Sequence, residues 1–442
     1  MISPGNLAMR EKKVAVTLCE ELVPGELRPK NDSHLFPDRS LGDGTRRREI
    51  GIYADYWGWI SGGARFVAVL AESLAETHEV EIVHHRQDFS AEQIGPALGV
   101  DLSGIRFRYL PPRGQQKTAS LNPFRRLVEE SEWGAEISRP YDIFFSATDT
   151  VPVFNHAPIG FALAHFPVQS YAVFNGRDTE QWRRRGMLSR CAARLYQSTE
   201  WRRRFAGYQT FLTNSKFTQG WMRRRWGVDS HVVYPPIMQL GGGESKEKLI
   251  LAVSRFSASG AKRHDCLIDA FKQIVNAGHH DWRLAMVGGM RSGVEHQDYF
   301  DRLRMSAAGY PVDFIVDASN EQLESHYRRA AVFWHAKGLG TDENVQPEAA
   351  EHFGMVTAEA MSAGCVPIVY ASGGQREVVA DGVNGYLWIQ PQELVTRTKT
   401  ILRDESLAER FAIMSRNSAS RFSRIECLER FYSAIGQVLD GN

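Results

Sequence analysis

The stretch Glu351-His352-Phe353-Gly354-Met355-Val356-Thr357-Ala358-Glu359-Ala360-Met361-Ser362-Ala363-Gly364, running into Cys365-Val366-Pro367-Ile368-Val369-Tyr370, decides the fold. Small and apolar residues predict a helix over 355–363 that stops at Gly364, and the apolar run after it predicts a buried strand. Two carboxylates eight residues apart then flank an aromatic-glycine turn, with Glu351 just before the helix and Glu359 about one turn inside it. The unpaired amides at a helix start and its positive dipole end favour an anion such as phosphate. A carboxylate on either side of that anion can accept hydrogen bonds from hydroxyls. The arrangement suits a diphosphate carrying a sugar at each end, a sugar nucleotide. A bare pair of glutamates at this spacing would carry no such meaning, and the strand–turn–helix setting supplies it.

Working outward, strand and helix patterns alternate along most of the chain. Strands are predicted at Glu49–Ala54, Val80–His84, Ile105–Leu110, Asp142–Ser146, Gly160–Ala164, Thr210–Thr213 and His231–Tyr234. Between the first two, Trp57-Gly58-Trp59-Ile60-Ser61-Gly62-Gly63 leads into a helix with Phe66, Val67, Leu70 and Leu74 on one face. Pro235-Pro236 and Gly241-Gly242-Gly243 read as a linker. The alternation restarts with strands at Leu249–Val253, Leu284–Val287, Phe314–Val316 and Val332–His335 and helices near Asp265–Ala277 and Glu321–Arg329, and it closes on a helix near Ile425–Val438. The fold class is therefore α/β, with two doubly wound parallel-sheet domains. The expected organisation is an N-terminal extension at 1–48 with one strand candidate at Val14–Leu18, a first domain at 49–237, a linker at 238–248, a second domain at 249–421 and a final helix at 422–442.

The sequence has 442 residues, 43% of them hydrophobic and 24% charged, values of a globular chain too long for one ordinary core. The formal net charge of +1 gives no reason to expect nucleic acid as a partner. The five cysteines (Cys19, Cys191, Cys266, Cys365, Cys427) are scattered and odd in number, which fits reduced thiols in a cytoplasmic protein without a zinc site. No apolar run reaches the ~20 residues that span a bilayer.

Several motifs fall at strand ends, where open α/β sheets face their ligands. These are Val253-Ser254-Arg255-Phe256 with Lys262-Arg263, Met286-Val287-Gly288-Gly289, the Glu351–Glu359 block, Ser372-Gly373-Gly374-Gln375 and Asp381-Gly382-Val383-Asn384-Gly385-Tyr386-Leu387. In this order and spacing, residues 249–390 resemble the C-terminal half of a GT-B glycosyltransferase of the retaining family 4 group, and the N-terminal half resembles it more loosely. The resemblance implies two Rossmann-like domains facing a central cleft, and a final helix crossing back to the first domain. It implies transfer of a hexose-type sugar from a UDP- or GDP-sugar to a hydroxyl of a glycan, glycolipid or small molecule, with retention.

The resemblance also implies roles for individual residues. Arg255 and Lys262 stabilise the diphosphate, and Glu351 contacts hydroxyls of the transferred sugar. Glu359 binds the ribose, Gly354 and Met355 offer backbone amides, and Phe353 packs near the sugar. His165, in Ala164-His165-Phe166-Pro167, faces the donor sugar and acceptor. Gly62-Gly63 lets the first domain's backbone approach phosphate or sugar without a Cβ clash. No Asp-x-Asp motif sits at a suitable strand end, so neither metal nor other cofactor is expected. A sugar-nucleotide epimerase or hydrolase, a phosphorylase and a non-catalytic sugar-nucleotide binder share the architecture. A dinucleotide-dependent dehydrogenase fits poorly, since Ser61-Gly62-Gly63 stands where G-x-G-x-x-G would be.

Three arginine runs, Arg183–Arg185, Arg202–Arg204 and Arg223–Arg225, are interleaved with Trp182, Trp201, Trp221 and Trp226. They have two readings: solvated helix faces with structural tryptophans, or a basic surface giving peripheral contact with the inner face of a membrane.

Overall fold

The computed structural model describes residues 47–57, 60–112, 123–148, 150–168, 198–241 and 245–439. Val14–Leu18, Arg183–Arg185 and Trp182 lie outside the described residues. Seven parallel strands form the front sheet: β1 (Glu49–Tyr53), β2 (Glu79–His84), β3 (Ile105–Tyr109), β4 (Ile143–Ala147), β5 (Ile159–Ala164), β6 (Thr210–Thr213) and β7 (His231–Val232), in the order β3-β2-β1-β4-β5-β6-β7. Six more form the rear sheet: β8 (Glu247–Val253), β9 (Arg283–Gly288), β10 (Val312–Val316), β11 (Ala330–His335), β12 (Val366–Tyr370) and β13 (Tyr386–Trp388), in the order β10-β9-β8-β11-β12-β13. Both strand orders reverse beside the first strand of each sheet, which opens a ligand crevice at the strands' C-terminal ends. This is the GT-B architecture of two Rossmann-like domains.

Burial explains the strand identities. All five residues of β4, Ile-Phe-Phe-Ser-Ala, are buried, as a central parallel strand covered by helices on both faces must be. Phe145 stacks on Phe161 of β5 with centroids 4.8 Å apart. Phe66, Val67, Leu70 and Leu74 of the helix Gly62–Ala75 enter the same core. The last helix, Arg424–Leu439, also belongs to it: Cys427, Phe431 and Ile435 are buried with the front-domain residues, and the Tyr432 hydroxyl lies 2.9 Å from Ser73 Oγ. Among the described residues, no helix is long and apolar enough to cross a membrane.

Some boundaries move. β8 begins at Glu247, inside the segment read as linker. Ile237 and Leu240 are also packed into the rear domain, with Ile237 N donating to Phe422 O and Leu240 N to Ser362 Oγ. The connection is therefore short and anchored. β13 was hidden in sequence because three residues carry no periodicity. It forms because Asp381–Gly385 turns back on itself, with Gly382 N donating to Gly385 O.

Candidate active site

The rear wall of the cleft is built on the turn before the helix Met355–Ser362. Gly354 caps the helix at φ 108°, a conformation glycine adopts without strain, and offers no side chain to the first helical amides. The earliest intrahelical bonds are Thr357 N and Ala358 N to Gly354 O, so Met355 and Val356 precede the paired amides. The Ser372–Gln375 turn braces this one from behind: Gly374 N donates to Glu351 O at 2.7 Å, and Gln375 Nε2 donates to Thr357 Oγ1 at 2.9 Å.

Glu351 is the centre of the charged part of the site. Its Oε2 accepts from Lys262 Nζ at 3.0 Å and lies 3.4 Å from His335 Nε2 and 3.8 Å from Lys337 Nζ. Burial alone would raise the pKa of this carboxyl. The cations of Lys262 and Lys337 outweigh it and hold the group well below the usual carboxylate range. Burial and the same lysine charges push His335 and His352 down to about 3, so both rings are neutral at physiological pH. Arg255, at the end of β8, is exposed and forms no ion pair among the described residues. Lys262 therefore pairs with Glu351, and Arg255 lies near enough for the Glu351 charge to act on its guanidinium.

Glu359 is placed differently. Its Oε1 accepts from Arg65 Nη1 of the front domain at 2.6 Å, and its Oε2 accepts from the Tyr327 hydroxyl at 3.1 Å. The carboxylate side chain is only 4% exposed. Burial and the adjacent Glu359 charge raise the Tyr327 phenol well above its usual pKa, so it remains a donor. Two of the roughly four lone-pair positions of the carboxylate are used, and two are left.

The front wall comes from the helix Gly62–Ala75. Ser61 caps it, its hydroxyl accepting from Ala64 N at 3.2 Å. A Cβ on Gly63 would come 2.9 Å from His165 Nε2, and one on Gly62 would run into the Met355 sulfur, so a side chain at either position would have to push a neighbouring side chain aside. His165 Nε2 is 2.5 Å from the Tyr56 hydroxyl. Gly62, Gly63, His165, Met355 and Glu359 are therefore all gathered where the two domains meet. Further contacts fasten the domains: Phe166 stacks on His352 at 4.2 Å, and Ser215 Oγ donates to His352 O at 2.6 Å. Glu377 of the rear domain accepts from the Lys216 and Phe217 amides that begin the helix Lys216–Trp226.

Phe353 departs from its expected role. The residue is 3% exposed and its ring packs against Tyr234 and Phe422, so it fills the rear-domain core. The basic runs are also divided. Trp201, Trp226 and Arg204 are buried, Arg204 pairing with Glu200 at 3.1 Å. Arg225 pairs with Glu348, while Arg202, Arg203 and Arg224 are exposed. His335, Lys337, Arg65, Tyr56 and Tyr327 escaped the sequence reading. For His335 and Lys337 a signal existed: they end and follow an apolar strand, where ligand-facing residues belong.

Residues 238–418 match the family described as glycosyl transferases group 1. Among characterised proteins, the chain is 25% identical over 252 residues to a GDP-Man:Man(3)GlcNAc(2)-PP-Dol alpha-1,2-mannosyltransferase of Dictyostelium discoideum, covering 52% of this chain and 47% of that one. The Xenopus laevis protein of the same name is 24% identical over 379 residues, 76% of this chain and 75% of that one. The chain thus spans about half the length of the Dictyostelium relative. Among solved structures, a glycosyltransferase from Rickettsia africae ESF-5 superimposes with a TM-score of 0.62 over 90% of this chain and 100% of that one, at 15% identity.

Proposed function

We propose that the chain, whose residues 238–418 match the glycosyl transferases group 1 family, transfers a hexose from a nucleotide diphosphate to a hydroxyl, with retention and without a metal. The observation that carries the proposal is that Lys262 and Lys337 both reach one buried carboxylate, with Arg255 near enough to feel its charge, beside the start of the helix Met355–Ser362. A single acid leaves this wall with surplus positive charge, and a diphosphate supplies the missing negative charge. GDP-mannose is the first donor to test, because the relatives' names specify it. The same names make a lipid-linked glycan the first acceptor class.

In this reading, Lys262, Arg255 and the amides of Gly354 and Met355 hold the diphosphate and stabilise the charge that grows as the sugar–phosphate bond breaks. Glu351, kept ionised by its cations, accepts hydrogen bonds from hydroxyls of the transferred sugar. Glu359 uses its two remaining lone-pair positions for the ribose diol. His165 and Tyr56 border the sugar from the front. The acceptor oxygen bonds to the anomeric carbon on the face the phosphate leaves. The carbon–oxygen bond to phosphate breaks with its electron pair, and the acceptor proton passes to that phosphate oxygen. Cations and a helix terminus carry out the neutralisation a metal would otherwise provide.

A panel of GDP- and UDP-sugars, scored by nucleotide release with and without a lipid-linked glycan acceptor, tests the proposal. Acceptor-dependent release from one donor is expected. Isomerised donor, or release unaffected by every acceptor, would instead indicate an epimerase or hydrolase.

A further inference from the structure

Lys337 follows β11 and has no part in the sequence motifs, yet it reaches the same Glu351 oxygen as Lys262, at 3.8 Å against 3.0 Å. Its placement is fixed from both sides. Leu339 N donates to Ala336 O to close the turn, and Arg263, the neighbour of Lys262, donates from Nη1 to Leu339 O at 3.0 Å. The side chain is 17% exposed, a costly position for an ammonium group unless it has work in the cleft. The acids that follow it in sequence have other partners: Asp342 accepts from Asn344, Glu343 is paired with Arg376, and Glu348 with Arg225. Facing Glu351 are therefore Lys262, Lys337, His335 and His352, with both rings neutral, and Arg255 lies at the rim. Lys262 alone balances the carboxylate, which leaves Lys337 and Arg255 in excess.

We propose that Lys337 is a third cation of the donor site, positioning Glu351 against the transferred sugar and sharing the diphosphate charge with Lys262 and Arg255. This rests on the donor-site reading above. A lysine suits the position because a compact ammonium on a flexible stem can lean toward Glu351 when the cleft is empty and toward phosphate when it is filled.

The full chain carrying Lys337→Met, and separately Lys337→Arg, tests this by steady-state kinetics on the donor that the wild type turns over, with inorganic pyrophosphate as competing inhibitor. The methionine variant should lose at least tenfold in kcat/KM for the donor and bind pyrophosphate at least fivefold more weakly, with the acceptor KM unchanged. Lys337→Arg should recover to within about threefold of wild type, because an arginine keeps the charge. Thermal melts check that both variants fold; should Lys337→Met not fold, Lys337→Gln replaces it. Folded variants with wild-type donor kinetics and wild-type pyrophosphate inhibition overturn the role of Lys337 alone. A wild-type protein that binds no sugar nucleotide overturns this proposal together with the donor-site reading.

Discussion

The two acids of the Glu351–Glu359 block sit on one helix and its leading turn, but the surroundings they face are opposite in kind. Glu351 is outnumbered by cations of its own domain and borders an unpaired arginine. Glu359 is closed off by the other domain, its carboxylate held by Arg65 and by Tyr327. One end of the site has charge to spare; the other is occupied by a contact between domains. The difference teaches that the cation-rich end, the proposed diphosphate site, is formed by rear-domain side chains, whereas the Glu359 end, the proposed ribose site, shares its carboxylate with the front domain.

The comparison breaks most easily at the charged end. Lys262→Ala should lower the rate of nucleotide release by about 100-fold to 1,000-fold, the usual loss when one preorganised donor to a developing charge is removed. A loss below fivefold would mean that the diphosphate lies elsewhere. The closed end should respond in stability. Arg65→Ala strands a carboxylate that is 4% exposed, and breaking such a buried pair costs about 3 kcal/mol, read by denaturant melts of the ligand-free protein. An unchanged midpoint would show that the domains are not held through this contact.

Acid sharpens the contrast further. His264 is pushed down to about 4 and His335 and His352 to about 3, each chiefly by burial. The folded pKa values lie below the unfolded value of about 6.5, so the stability tied to these neutral rings is complete above that pH. It is lost as pH falls towards the folded values, by on the order of 1.4 kcal/mol per pH unit for each ring. Glu351 adds its own loss only below about pH 4, since its pKa is depressed from the carboxylate range. Stability should therefore start to fall near pH 6.5; a midpoint flat down to pH 5 would contradict the burial of these rings. The smallest effect concerns metals: a chelator should leave turnover unchanged, and activity lost to chelator and restored by magnesium or manganese would contradict the charge argument.

Much of the rear domain was legible because its chemistry sits at strand ends and helix starts, where residue type and position speak together. Arg255, Lys262, Glu351 and Gly354 all belong to this class. Phe353 was misread because an aromatic in a ligand turn can face inward as readily as outward, and only the ring's packing on Tyr234 and Phe422 decides. Arg65 was missed because the helix Gly62–Ala75 announces its apolar face, while a partner 294 residues away leaves no trace in local pattern. Lys337 was within reach of the same logic, since it stands two residues beyond the end of the buried strand β11.

Calorimetric titration of GDP-mannose and a UDP-sugar into the wild type and into Lys262→Ala tests the central claim most directly. The account predicts saturable binding of one donor to the wild type and at least tenfold weaker binding to the variant. Equal affinity for both proteins would place the diphosphate away from the Glu351 turn and contradict the account.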